Sequence, residues 1–209
     1  MKAAIFDMDG TLLDSMGLWC GLGTLFCEEK GLPPVHNINA LVFNYSLRKM
    51  SALLSQIYAL DADGIYDDLT GIITGFYRTR AAAKPHVAEY LQKLRARGVP
   101  MCVATVTDRV HAEPVLARLG LLGFFDFIVT VPEFGTTKAD PALFSHCADR
   151  LCAKPRDCTV FEDALYALQT AAAAGFRTVA VADRFAGDDT PEIKRTADRY
   201  IESFAELLD

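Results

Sequence analysis

Hydrophobic positions along the chain follow two different patterns. A short apolar run at Ala3–Phe6 is followed by residues 15–80, whose apolar side chains recur at helical spacing without a clear strand. From Pro85 onward, apolar runs of strand length alternate with helical segments. Such alternation is typical of a parallel sheet covered by helices. The pattern predicts an α/β fold with a doubly wound, Rossmann-like parallel sheet core formed by residues 1–14 and 81–209. Residues 15–80 are predicted to form a small helical cap domain inserted after the first strand.

The individual elements follow from the same periodicity. In the inserted segment the pattern predicts three helices, one around residues 18–26, one at 48–57 and one at 67–80. The acidic stretch at residues 61–64 is interpreted as a solvated loop. In the core, the pattern predicts strands at 99–105, 127–131, 158–161 and 178–182, and helices at 86–97, 114–119, 141–151 and 164–174.

Composition narrows the classes of protein that remain. Of 209 residues, 51% are hydrophobic, which is enough for a sizeable core. The net charge of −6 without a basic cluster makes nucleic acid an unexpected partner. No apolar stretch approaches the roughly 20 residues that span a bilayer, so no membrane association is expected. The six cysteines form no Cys-x-x-Cys pair, which favours reduced, mostly buried thiols in a cytoplasmic protein. Nothing in the sequence demands more than a monomer.

Polar side chains gather where the predicted strands end. Asp7 and Asp9 follow the first strand, and two carboxylates about 4 Å apart repel by roughly 4 kcal/mol at an effective dielectric near 20. Such a pair needs a cation, a shared proton or a reaction. Ligands of open α/β sheets bind beyond the carboxyl ends of the strands. The other polar residues expected at this edge are Thr105, with Thr107 and Asp108 beyond it, Lys138, Glu162 and Asp163.

Each of these residues alone also fits an ordinary role, as a turn, a strand position, a surface lysine or a helix cap. Their joint placement favours a site, and carboxylates are hard oxygen ligands suited to magnesium.

Four motifs carry a family resemblance. Asp7–Thr11 reads Asp-x-Asp-Gly-Thr; Thr105 ends an apolar strand; Lys138 precedes Ala139-Asp140-Pro141, which keeps only the second proline of a Pro-x-Pro; and Phe161-Glu162-Asp163 is followed by Ala164 and Ala167 where a serine and a glycine are usual. In these motifs the chain resembles haloacid dehalogenase superfamily hydrolases, of the subgroup with β-phosphoglucomutase and small sugar-phosphate phosphatases. The resemblance covers nearly the whole chain.

The resemblance implies a mechanism. Asp7 would attack phosphorus to form an aspartyl-phosphate, and Asp9 would protonate the leaving oxygen and then activate water. Mg²⁺ would be bound by Asp7, the Asp9 backbone carbonyl and Asp163, with Glu162 as a ligand or as a hydrogen-bonding neighbour. The expected phosphoryl-binding and substrate-binding residues of the core are Thr105, Val106 and Lys138. The implied substrate is a small phosphorylated metabolite.

Alternative functions remain open. β-Phosphoglucomutase carries a histidine where this chain has Trp19, and an indole cannot exchange a proton, so a phosphatase is preferred to a mutase. Trp19 and Arg48 are the predicted substrate-binding residues of the cap, although cap packing for Trp19 and a solvated charge for Arg48 also fit. A receiver-like switch, or a protein that binds phosphate without turnover, would use similar residue types.

Overall fold

A computed structural model of the protein describes residues 1–42 and 45–208. It divides the chain into two compact units, one formed by Met1–Asp14 with Ala82–Asp209 and the other by Ser15–Ala81. We call the first the core unit and the second the inserted unit. The chain leaves the core unit after Asp14 and returns to it at Ala82.

The inserted unit is helical. Its helices are α1 (Met16–Lys30), α2 (Ile38–Val42), α3 (Leu47–Tyr58) and α4 (Ala62–Thr79). They bury apolar side chains against one another, including Leu22, Phe26, Leu54 and Leu69. The short helix α2 was not predicted, because five residues are too few to show a period.

The acidic stretch predicted as a loop is instead the start of α4, so that prediction is wrong. The Asp61 carboxylate accepts the backbone N–H of Gly64 at 2.7 Å and thereby caps the helix. Capping aspartates satisfy backbone donors that a helix leaves unpaired in its first turn. The helix therefore begins five residues before the predicted start at residue 67.

The core unit contains a six-stranded parallel sheet, which confirms the predicted fold class. The strands are β1 (Ala3–Phe6), β2 (Met101–Thr105), β3 (Phe127–Thr130), β4 (Cys158–Glu162), β5 (Arg177–Val181) and β6 (Arg199–Ile201). Their order in the sheet is β3-β2-β1-β4-β5-β6, and every neighbouring pair is parallel. The short edge strand β6 was not predicted. Strand β1 is central, with β2 on one side and β4 on the other.

Helices cover both faces of this sheet. They are α5 (Val87–Ala96), α6 (Arg109–Arg118), α7 (Val131–Phe134), α8 (Ala142–Arg150), α9 (Leu165–Ala173) and α10 (Thr190–Thr196). On one face Ile5 and Val160 join the core formed with α8 and α9. On the other face the Phe6 and Phe161 rings stack with centroids 4.4 Å apart, and Tyr90 of α5 packs edge-on against Phe161. Successive residues of a strand thus enter opposite cores, which explains the continuous apolar runs.

Two further sequence expectations concern thiols and membranes. The six cysteines all lie within the described residues and are thiols rather than disulfides; four are buried, one is partly exposed and Cys152 is exposed. This agrees with mostly buried thiols. Among residues 1–42 and 45–208, no helix combines the length and the apolar character that crossing a bilayer requires.

Candidate active site

A buried lysine lies between two carboxylates at the carboxyl edge of the central strands. Asp7 directly follows β1, and Glu162 is the last residue of β4. Lys138 Nζ donates hydrogen bonds to Asp7 Oδ1 and to Glu162 Oε1. All three side chains are at least 94% shielded from solvent. The structure therefore brings together one predicted nucleophile, one predicted phosphoryl-binding cation and one predicted metal-site carboxylate.

The loop that carries Lys138 is fixed by its own hydrogen bonds. Thr136 Oγ1 donates to Asp140 Oδ2 at 3.0 Å, and Asp140 Oδ1 accepts the backbone N–H of Ala142 at 2.9 Å. Asp140 thus ties the loop to the first turn of α8. The missing first proline of the family pattern is compatible with this ordered loop.

Glu162 also organises the chain that follows it. Its Oε2 accepts the backbone N–H groups of Asp163 at 2.9 Å and of Ala164 at 3.0 Å. With Lys138 on Oε1, the carboxylate accepts three hydrogen bonds, which uses most of its acceptor capacity. This arrangement suits Glu162 to holding Lys138 and the Asp163 backbone in place.

Asp163 lies against the loop that follows β1. Thr11 Oγ1 donates a hydrogen bond to Asp163 Oδ1 at 3.2 Å. Gly10 has a φ of +85°, and a Cβ built on it would lie 2.2 Å from Asp163 Oδ2. Only glycine adopts this conformation easily and leaves that space open. The Asp-Gly-Thr part of the motif therefore serves the approach of Asp163 to β1.

Asp9, Thr105 at the end of β2 and Thr107 just beyond it form a second cluster of buried polar groups. Thr107 Oγ1 donates to Asp9 Oδ2 at 2.7 Å, and the Thr107 backbone N–H donates to Thr105 Oγ1 at 3.1 Å. Asp9, Thr105 and Thr107 are all buried, whereas the side chain of Val106 between the threonines is exposed. The structure thus places Thr105 and Val106 at the same sheet edge as Asp7 and Asp9.

Around Lys138, negative charge exceeds positive charge. Burial raises the pKa of Asp7 to about 7; Lys138 opposes that shift, and Glu162 and Asp9 add to it. Burial, together with Glu162 and Asp7, also raises the pKa of Asp163 well above its usual range. Burial disfavours the charge of Lys138, but Asp7 and Glu162 raise its pKa above the ordinary value. One ammonium does not balance the carboxylates around it.

The same residues fit a divalent cation. Asp7, Glu162 and Asp163 each offer an oxygen, and these oxygens lie within 4.8 Å of one another. An all-carboxylate donor set suits the hard cation Mg²⁺ rather than metals that prefer nitrogen or sulfur. A cation here would offset the excess negative charge and favour the ionised carboxylates.

The two predicted cap residues have partners inside the inserted unit. The half-buried Trp19 donates its Nε1–H to Tyr77 Oη at 3.1 Å. The exposed Arg48 pairs with Asp63 at 2.8 Å, and its guanidinium lies 3.9 Å from the centroid of the Tyr66 ring. Their roles in substrate binding stay predictions.

The sequence placed Thr11 in the first motif and Thr107 at this sheet edge, but it predicted neither the Thr11–Asp163 nor the Thr107–Asp9 contact. Thr107 stands two positions after Thr105, just as Asp9 stands two positions after Asp7. That shared spacing at neighbouring strand ends was the feature from which the Thr107–Asp9 contact could have been suspected.

Several known proteins are similar to this chain in sequence. Residues 1–175 match the family model of the haloacid dehalogenase-like hydrolases. The fructose-1-phosphate phosphatase YqaB of Escherichia coli is 31% identical over 179 residues, which cover 85% of this chain and 94% of that protein. A phosphoglycolate phosphatase of Chromobacterium violaceum is 29% identical, with 100% of this chain and 96% of that protein covered.

A structural neighbour supports the fold. A haloacid dehalogenase family hydrolase from Deinococcus radiodurans, solved with bound phosphate and sodium, is 25% identical with a TM-score of 0.75; the match covers 99% of this chain and 93% of that one. The family match and the phosphatase relatives confirm the predicted class of enzyme, a phosphoric monoester hydrolase. The chain belongs to the haloacid dehalogenase-like hydrolases.

Proposed function

We propose that this protein is a magnesium-dependent phosphatase that releases phosphate from a small phosphorylated metabolite through an aspartyl-phosphate on Asp7. The observation that carries the proposal is the buried Asp7 carboxylate, held through Oδ1 by Lys138 with Asp9 two residues further on. A carboxylate fixed in this way is a suitable nucleophile for phosphorus. The sugar-phosphate and phosphoglycolate phosphatases among the relatives favour a small anionic ester as substrate.

The reaction takes place in two steps. In the first, Asp7 Oδ2 forms a bond to phosphorus as the bond from phosphorus to the leaving oxygen breaks, and Asp9 gives that oxygen its proton. In the second, Asp9 takes a proton from water, whose oxygen attacks phosphorus and releases phosphate from Asp7. The two steps together need one group that donates a proton in the first step and accepts a proton in the second. Asp9 has this role.

The remaining residues bind the transferred group. Lys138 contributes a permanent positive charge, and Thr105 and Val106 contact phosphoryl oxygens at the end of β2. Asp7, the Asp9 carbonyl and Asp163 would hold Mg²⁺, which would supply further positive charge and so lower the repulsion between the phosphoryl group and the nucleophile. Glu162 holds the Lys138 side chain and the Asp163 backbone in place through its hydrogen bonds.

A phosphatase is favoured over a sugar phosphomutase by the inserted unit. Trp19 occupies the position expected for the mutase histidine, and its indole donates a hydrogen bond to Tyr77 but has no basic nitrogen. Proton exchange with a sugar hydroxyl, which a mutase needs, is therefore absent from this position.

The experiment is a substrate screen with phosphate release as the readout. Purified protein with Mg²⁺ is offered fructose 1-phosphate, phosphoglycolate, β-glucose 1-phosphate and para-nitrophenyl phosphate, with folded Asp7→Asn protein as the control. We expect turnover of at least one natural ester by the wild type and none by the variant. Conversion of β-glucose 1-phosphate to glucose 6-phosphate without phosphate release would favour the mutase instead. The inserted unit as a cap, a monomeric state and a cytoplasmic location stay predictions.

A further inference from the structure

The Asp9 carboxylate is bound by a hydroxyl that the proposed mechanism does not use. Thr107 Oγ1 donates to Asp9 Oδ2 at 2.7 Å across 98 residues of sequence. The Thr107 side chain is only 2% exposed, and Asp9 is 7% exposed. The contact is thus a short hydrogen bond between two buried groups on neighbouring strand ends.

A carboxylate needs such a partner if it is to exchange protons in a fixed direction. The last torsion of an aspartate side chain is broad, because it joins a tetrahedral carbon to a planar one. A threonine, by contrast, is stiff because it branches at Cβ. The Thr107 hydroxyl therefore restricts the rotation of the Asp9 carboxylate about its Cβ–Cγ bond.

The same threonine also orients the predicted phosphoryl-binding hydroxyl. Its backbone N–H donates to Thr105 Oγ1 at 3.1 Å. Because Thr105 Oγ1 serves as the acceptor in this hydrogen bond, the Thr105 hydroxyl can donate its own proton to a phosphoryl oxygen. Thr107 thus links the acid/base group to the phosphoryl-binding group through one short segment.

We propose that Thr107 is a positioning residue that holds the Asp9 carboxylate in the orientation needed for both of its proton transfers. This inference rests on the proposed phosphatase function. The Thr107 hydroxyl limits the rotation of the Asp9 carboxylate, and the Thr107 backbone N–H orients the Thr105 hydroxyl. Removing only the hydroxyl should therefore disturb the action of Asp9 and leave the binding of phosphate nearly intact.

The test compares Thr107→Val with Thr107→Ser. Valine keeps the shape and branching of threonine without the hydroxyl, whereas serine keeps the hydroxyl. General acid–base catalysis is worth about 10²- to 10⁴-fold, so partial loss of its orientation should lower kcat for a sugar phosphate by roughly 10- to 100-fold. KM should stay within about 2-fold, and Thr107→Ser should regain most of the lost rate.

Rapid mixing with para-nitrophenyl phosphate separates the two half-reactions. Nitrophenolate leaves without help from an acid, so phosphorylation of Asp7 should stay fast in Thr107→Val. Hydrolysis of the phosphoenzyme still needs Asp9 as a base and should slow. We expect a burst of nitrophenolate of about one equivalent, followed by a slow steady state.

A matched control is Thr159→Val, which removes a buried hydroxyl from β4, about 10 Å along the strand from Glu162. It should keep wild-type rates in both assays. If Thr107→Val does not fold, Thr107→Ala takes its place with the same expectations.

Three results would overturn the inference: an unchanged kcat for the sugar phosphate in Thr107→Val, an equal loss in both half-reactions with para-nitrophenyl phosphate, or no recovery in Thr107→Ser. A wild type without turnover of any ester would overturn the proposed function itself, and the inference with it. An active wild type beside an unaffected Thr107→Val would overturn the inference alone.

Discussion

Replacing Gly10 by alanine should damage the site through Asp163 more than it damages the fold. The Cβ of an alanine at this position would lie 2.2 Å from Asp163 Oδ2 and 2.6 Å from its Cγ. The closest tolerable approach is about 3.0 Å, so the carboxylate has to retreat by about 0.8 Å or more. A displacement near 1 Å in a catalytic arrangement can cost about 10²-fold in rate. We therefore expect kcat to fall by about 10²-fold and the Mg²⁺ requirement to rise.

Gly175→Ala is the matched control for the backbone. Gly175 has a φ of +82°, close to the +85° of Gly10, but a Cβ at this position would meet nothing within 4 Å. An L-residue in a left-handed conformation costs roughly 1–2 kcal/mol, and in a chain of this size each kcal/mol lowers Tm by about 2–4 °C. Both variants should thus lose a few degrees in Tm, while Gly175→Ala keeps its activity.

The assay is phosphate release over a titration of Mg²⁺, together with thermal unfolding of each variant. The same kcat and the same Mg²⁺ midpoint in Gly10→Ala and Gly175→Ala would refute the steric effect on Asp163. A loss of activity in Gly10→Ala that only matches the proportion of protein that unfolds would refute it as well.

Three more predictions concern the charged groups. Lys138→Met leaves Asp7 and Glu162 buried without their ammonium, so the free energy of unfolding should fall by about 3–5 kcal/mol in chemical denaturation; a loss below about 1 kcal/mol would contradict the buried pair. Chelation should stop turnover and Mg²⁺ should restore it, whereas Ca²⁺ should restore it poorly because its bonds are longer and its geometry is looser; full activity in metal-free protein refutes the requirement. Arg48→Ala should raise KM for the natural ester severalfold and spare para-nitrophenyl phosphate, with the neighbouring exposed Lys49→Ala inert in both assays. Equal effects on both substrates would indicate that Arg48 serves only its ion pair with Asp63 and does not bind the substrate.

Much of the core unit was predictable because its strands are continuous apolar runs that alternate with helical segments. The central strand β1 is buried on both faces, so its apolar run and the acids that follow it stand out in the sequence. Short elements were missed, since the five residues of α2 and the three of β6 show no period. The prediction of a loop at residues 61–64 was wrong because the Asp61 cap stabilises the first turn of α4. This cap overrides the weak helix preference of a stretch that contains Asp and Gly.

The membership of the site was predictable, but its hydrogen bonds were not. Because β1 and β4 are neighbours in a parallel sheet, Asp7 and Glu162 lie near one another whatever their detailed contacts are. Which oxygen accepts from which donor depends on side chains far apart in sequence, such as Lys138 and Asp7, which are 131 positions apart. Periodicity describes neighbours on one element, so it contains no information about pairs of this kind.

The aspartyl-phosphate on Asp7 can be detected directly. The enzyme is mixed with its best ester and Mg²⁺, quenched in acid within the first turnover, and reduced with borohydride, which converts an aspartyl-phosphate to homoserine. Peptide mass spectrometry then locates the modified residue. We expect homoserine at position 7 in the wild type and no modification in Asp7→Asn. A steady turnover by the wild type with position 7 unmodified, or with the modification at another carboxylate, would contradict an aspartyl-phosphate on Asp7.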